Sequence, residues 1–138
     1  MTSEPENLYH HICEGGYLVD DERAIIKRSH IEAAIDAHLK LPELNWTGRK
    51  TIGYDPADQG DPNALVFAYG SIVEHIEEWK AAEDQLLEST MRVLAAAKRL
   101  GADQIGYDGI GVGVGVGSIL NDKKFRNHYK FMAGGKPA

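Results

Sequence analysis

The sequence predicts an α/β domain built on a mixed β-sheet, and three observations carry that prediction. Three short β-type runs separated by turn residues follow one another between Arg49 and Trp79. Glu83 to Leu100 then has helical spacing. A further apolar run, Gln104 to Tyr107, comes directly after it and ends in Asp108. Strands joined by short turns pair antiparallel, whereas a strand reached through a crossover helix pairs parallel. The expected order is therefore an antiparallel three-stranded meander, a crossover helix and a further parallel strand.

A chain of 138 residues allows one ordinary domain and is too short for two full-sized ones. Hydrophobic residues at 43% and charged residues at 26% are close to globular averages, which excludes wholesale disorder. The net charge of −6 argues against a surface that grips nucleic acid all round. Yet five of the 15 cations and only one of the 21 acids lie after Asn121: Lys123, Lys124, Arg126, Lys130 and Lys136 against Asp122. Any polyanion contact is expected there. Cys13 has no internal disulfide partner and no basic-then-apolar leader opens the chain, so the cytoplasm is the expected compartment. The nearly uncharged run from Ile110 to Asn121 falls well short of the roughly 18 apolar residues of a membrane span.

Element by element, Glu6 to Leu41 reads as short helices and turns, with Leu8, Tyr9 and Ile12 before a turn at Gly15-Gly16. Ser29 and Glu32 form a capping-box pattern ahead of a helix that sets Ile31, Ala34, Ile35 and His38 on one face and stops near Pro42. The pattern changes between Leu41 and Lys50, giving a helical linker segment over 1–45 and a domain over 46–138, with Trp46 as an anchor. Thr51 to Tyr54 is the first strand, ending in Asp55. A polar loop through Asp58, Gly60, Asp61, Pro62 and Asn63 leads to a second strand, Ala64 to Ala68. Tyr69-Gly70-Ser71 turns the chain into an alternating third strand, Ile72 to Trp79. In the helix Leu87, Met91, Leu94 and Ala97 are expected to face inward. Glu83, Asp84 and Glu88 suit its positive end, Lys98 and Arg99 its negative end, and Gly101 its stop. Gly109 to Gly117 reads as a loop winding into a helix through Ser118, Ile119 and Leu120, with Val112, Val114 and Val116 packing inward. His128 to Met132 would add a fifth strand.

Asp55 and Asp108 each sit at the carboxyl end of a short strand. If those strands are neighbours, the carboxylates converge, and two ionised carboxylates repel unless a divalent cation or a proton lies between them. Hard oxygen ligands suit Mg²⁺ or Mn²⁺. Such a site can polarise a phosphate oxygen and activate water for in-line attack on a phosphodiester, with two ions about 3.5 to 4 Å apart. Either aspartate alone is better read as a turn former; the pair and the strand order favour a site. The glycines at 109, 111, 113, 115 and 117 have a spacing of two, which fails the dinucleotide template, and the preceding acid would repel a pyrophosphate. They are better read as letting backbone pass close to the site. His10 and His11 lack a partner at zinc spacing, Ser118 and Cys13 lack a hydrolase context, and no phosphate-binding loop of a motor occurs.

Gly53-Tyr54-Asp55-Pro56-Ala57-Asp58-Gln59-Gly60-Asp61-Pro62-Asn63-Ala64, then Glu78-Trp79, the helix, and Tyr107-Asp108-Gly109-Ile110-Gly111-Val112-Gly113 resemble the nuclease domain of the large terminase subunit of tailed bacteriophages. Upstream, Leu8 to Gly15 and Ile25 to Ala34 resemble the segment joining the packaging ATPase to that nuclease. The resemblance implies a ribonuclease H-like fold and Mg²⁺- or Mn²⁺-dependent cutting of concatemeric viral DNA in the bacterial host. Asp55 and Asp108 match the family's first two metal-binding carboxylates, with two ions in the complete site. Asp58 and Asp61 would at most be outer-shell groups, turn formation being their favoured reading. Partners so implied are double-stranded DNA and, in the full-length protein, the ATPase domain, the small terminase subunit and the portal.

The family's third carboxylate would lie past Ala138, so the resemblance implies a fragment with an incomplete site. A non-catalytic folded remnant or interaction module of a defective prophage terminase is the alternative. A resolvase-type enzyme completed by another acid, such as Asp122, is a further one. Lys123, Lys124, Arg126 and Lys130, interleaved with Phe125 and Tyr129, could track a DNA backbone or form a solvated edge.

Overall fold

The computed structural model describes residues 24–44, 46–57, 60–81 and 85–134. Readings placed on Leu8 to Gly16, Cys13, Asp58, Glu83 and Asp84 lie outside the described residues. The chain divides into two compact units, Met1–Asn45 and Trp46–Ala138. In the first, helix α1 (Arg28–Ala34) is followed by the single turn α2 (Ala37–Lys40), which ends two residues before Pro42. The capping box does not form. Lys27 is the N-cap and Ser29 lies inside the helix, while Glu32 reaches back one turn to the Arg28 guanidinium at 2.7 Å. That i,i+4 ion pair takes the carboxylate the box would have used. Asp36 in the left-handed region separates α1 from α2, so the apolar residues expected on one continuous face are divided between two elements.

The second unit is a five-stranded sheet in the order β3-β2-β1-β4-β5. Strands β1 (Lys50–Asp55), β2 (Asn63–Tyr69) and β3 (Ile72–Trp79) form the antiparallel meander. Helix α3 (Leu86–Leu100) crosses over to β4 (Gln104–Asp108), which pairs parallel with β1. A 3₁₀ turn (Gly111–Gly115) runs into α4 (Val116–Asp122), and β5 (His128–Phe131) pairs parallel with β4. The crossover is clamped at its end: Asp103 Oδ2 accepts the Lys50 N–H at 3.0 Å, and Asp103 N–H donates to the Lys50 carbonyl at 2.8 Å. Gly101 closes α3 with a positive φ of 67°, where a Cβ would be disfavoured. Trp46 packs against Tyr69, ring centroids 5.8 Å apart and planes tilted by 38°.

Alternation within the strands sends Ile52, Tyr54, Leu65, Phe67, Ile105 and Tyr107 to one face. There they meet Val93, Leu94, Ala96 and Ala97 of α3 and Val116 and Leu120 of α4. The inward stripe of α3 differs from the expected one: Leu94 and Ala97 are buried, but Leu87 is 56% and Met91 41% exposed, and Ser89, Thr90, Val93 and Ala96 take their places. Small residues let the helix settle close to a sheet whose own bulk comes from tyrosine and phenylalanine rings. The Trp79 indole N–H donates to Ser89 Oγ at 3.1 Å, which turns that serine inward. Likewise Val116 is buried while Val114 is 65% exposed, because the segment winds as a 3₁₀ turn rather than alternating like a strand. The opposite face of the sheet stays exposed, with Ile76 63% and Phe131 61% accessible.

Candidate active site

Parallel pairing of β1 with β4 runs in register as Ile52↔Ile105, Gly53↔Gly106 and Tyr54↔Tyr107. Asp55 and Asp108 are the next residues on each strand. They therefore stand side by side at the carboxyl ends of adjacent strands, whose separation is about 5 Å. Isoleucine and tyrosine point to the helices, so glycine and aspartate point to the exposed face. Both aspartates line one hollow of about 320 Å³ there, with Gly53, Val66, Gly106 and Tyr129 among its walls.

The loops after the two acids are held against each other. Asp108 Oδ1 accepts the Ile110 N–H at 3.0 Å, so this carboxylate does brace its own turn as well as lining the hollow. A Cβ on Gly113 would lie 1.8 Å from the Asp108 carbonyl oxygen and 3.1 Å from the Pro56 ring. The expected close passage of glycine backbone is thus found at Gly113, between the residue after Asp55 and Asp108 itself. On the other side, Asn63 Oδ1 accepts the Ala57 N–H at 3.1 Å and the Tyr54 hydroxyl at 3.2 Å. Burial pushes the Tyr54 hydroxyl up to about 12, so it remains a donor to Asn63. Tyr54 stacks in turn on Trp79, with centroids 6.0 Å apart.

The remaining residues singled out in the sequence scatter. Asp61 is exposed in the loop between β1 and β2, at the sheet end that carries Asp55. Lys123, Lys124 and Arg126 precede β5, whose first residue pairs with Ile105, and so lie at the start of β4 rather than at its Asp108 end. Asp122 closes α4 at that same far end. Lys130 stands beside Tyr107, and its aliphatic chain covers Gly109. Among the described residues, no group of three His, Cys, Asp or Glu side chains gathers to hold a metal ion. Two adjacent carboxylates are a donor set that fits a hard divalent cation and leaves most of its coordination to other oxygens.

Asn63 reads in the sequence as a loop residue and Gly53 as an ordinary member of the first strand, so neither stands out before the fold is known. A signal for the site was nevertheless present: Ile-Gly-Tyr-Asp occurs twice, at Ile52–Asp55 and Ile105–Asp108. The two copies lie in register on neighbouring parallel strands, so their isoleucines and tyrosines share the helix-covered face.

A mixed five-stranded sheet in this order with helices packed on it matches the ribonuclease H-like nuclease fold. The chain is similar to the nuclease domain of the large terminase subunit gp2 of bacterial virus Sf6, with 32% sequence identity and a TM-score of 0.67 over 79% of this chain and 47% of that one. A lysine-to-alanine variant of that domain with manganese and beta-thujaplicinol gives 32% identity and a TM-score of 0.68 over the same shares. The variant with calcium gives 32% and 0.66, covering 79% of this chain and 48% of that one. The chain thus spans about half the length of the solved structures it matches. No family model matches it, and no curated protein does. Among the described residues, no helix is long and apolar enough to cross a membrane.

Proposed function

We propose that this chain is the nuclease portion of a phage or prophage DNA-packaging terminase large subunit and cuts DNA with divalent cations held at Asp55 and Asp108. The match to the terminase nuclease domain supports a nuclease role in DNA packaging. The observation that carries the site is the in-register pairing of β1 with β4, which puts both carboxylates on one face beside one hollow. The similar Sf6 nuclease-domain structures contain manganese or calcium, in keeping with a hard divalent ion, and Mg²⁺ has the same preference for oxygen ligands. Such an ion, when bound, polarises a phosphate oxygen and acidifies water. The protein's part is to fix the carboxylates: the Ile110 N–H holds Asp108, and the Asn63 and Gly113 contacts hold the turn after Asp55. Double-stranded DNA is the proposed substrate. In the whole protein the ATPase domain, the small subunit and the portal are the proposed partners.

Calorimetric titration of Mn²⁺ tests the metal site. Asp55→Asn and Asp108→Asn should each weaken binding by roughly tenfold or more, since each removes half of the charged donor set. Equal binding by either variant would rule out a shared site. A non-catalytic module is the second reading, favoured by the fact that among the described residues no third His, Cys, Asp or Glu gathers with the two aspartates. Mn²⁺ binding without nicking of supercoiled DNA would select it.

A further inference from the structure

Gly53 is a glycine without an internal reason. It lies within the central strand β1, has no positive φ, and nothing stands within 4 Å of where its Cβ would be. Glycine weakens a strand interior and often marks a close approach by something else. Its register partner Gly106 is different, because there a Cβ would collide with the hydroxyl end of the Tyr129 ring, 2.3 Å from Cζ. The bare backbone at Gly53 therefore gives its space to the hollow that the two aspartates border. Along the edge strand β5, Tyr129 and Phe131 are two residues apart, opposite Gly106 and Asp108, and so share this face. They are 48% and 61% exposed.

Aromatic rings at alternate positions on an open sheet face are the arrangement on which single-stranded nucleic acids stack their bases. Carboxylates at the rim disfavour an anion on the floor, so the part that enters the hollow is the uncharged sugar and base, with the phosphate left to the cation. We propose that Gly53, Tyr129 and Phe131 form a subsite for the nucleoside portion of a DNA strand whose bases are locally unpaired beside the cut. This rests on the nuclease reading and adds that the strand is bound open rather than as an intact duplex.

The test uses the 138-residue chain and a short fluorescein-labelled oligothymidylate, followed by anisotropy with and without Mn²⁺, beside Mn²⁺ calorimetry. Gly53→Val adds a strand-favouring side chain into open space, so its circular dichroism should match the parent while oligonucleotide affinity falls roughly tenfold or more. Tyr129→Ala should lose a similar factor and Tyr129→Phe should restore most of it, since the ring face does the stacking. Unchanged oligonucleotide affinity in Gly53→Val, or equal loss in Tyr129→Ala and Tyr129→Phe, would overturn the subsite. An unsubstituted chain that binds Mn²⁺ but no oligonucleotide would also overturn it and leave the nuclease reading standing. No Mn²⁺ binding by a folded chain would remove that reading and the subsite with it. Sedimentation showing that Tyr129→Ala only dissolves a dimer of the chain would assign the face to self-association instead.

Discussion

Asn63 shows how much of the site depends on a single buried acceptor. It is 1% exposed, and one oxygen serves both the Ala57 N–H and the Tyr54 hydroxyl. Asn63→Ala leaves both donors unpaired, which should cost about 1–3 kcal/mol in urea unfolding at neutral pH. Mn²⁺ affinity should fall as well, because the turn after Asp55 loses its tether. Glu77 is a residue whose charge is held in place by its neighbours. Its carboxylate meets His75 Nε2 at 2.8 Å, Arg99, and Arg92 at 3.4 Å. Those bonds, His75 first and Arg99 next, lower it from the ordinary 4.5 to about 2. A depressed carboxylate stabilises the fold above its unfolded value and loses that contribution as pH falls through its folded value. The stability gap between the parent and Glu77→Gln should therefore be full above pH about 4.5 and close towards pH about 2, as read by urea midpoints across that range.

At the scale of elements, the strand order and the crossover were legible because turn residues and a helical period punctuate the chain plainly. Which side of α3 faces the sheet was not. A stripe through Leu87, Met91 and Leu94 is the most hydrophobic choice, yet the sheet's aromatic bulk and the Trp79–Ser89 hydrogen bond select smaller residues. Leu87→Ala should consequently change stability by no more than about 0.5 kcal/mol, whereas Leu120→Ala, fully buried in α4, should cost about 2–5 kcal/mol. The two acids were legible from their strand ends. Asn63 and Gly53 were not, since an asparagine in a polar loop and a glycine in a strand declare a role only once the register is known. The 3₁₀ turn was half legible: its glycines pointed to close packing, and Gly113 supplies it. Gly113→Ala would drive a methyl into the Asp108 carbonyl, so the loops should part and Mn²⁺ binding should drop with the thermal midpoint.

Across the whole molecule, the basic stretch proves not to be one feature. Lys123, Lys124 and Arg126 lie at the end of the parallel strands remote from Asp108, roughly 13 Å away along four steps of β4 at about 3.3 Å each. Alanine at these three positions should leave Mn²⁺ affinity unchanged. If they contact duplex phosphates, the slope of log affinity against log salt should shrink by about 0.9 for each. An unaltered slope would make them a solvated edge.

The doubled Ile-Gly-Tyr-Asp also bears on how the chain finds its fold. Two strands with the same four residues at their ends present the same local code, so β1 and β4 could each be accepted in the other's slot during folding. Local pattern cannot separate them; only connectivity can. β1 is followed by a short loop to its antiparallel partner, a contact of low sequence separation that forms early, while β4 waits for the whole of α3. The order of pairing, rather than the chemistry of either strand, is what tells the two aspartates apart.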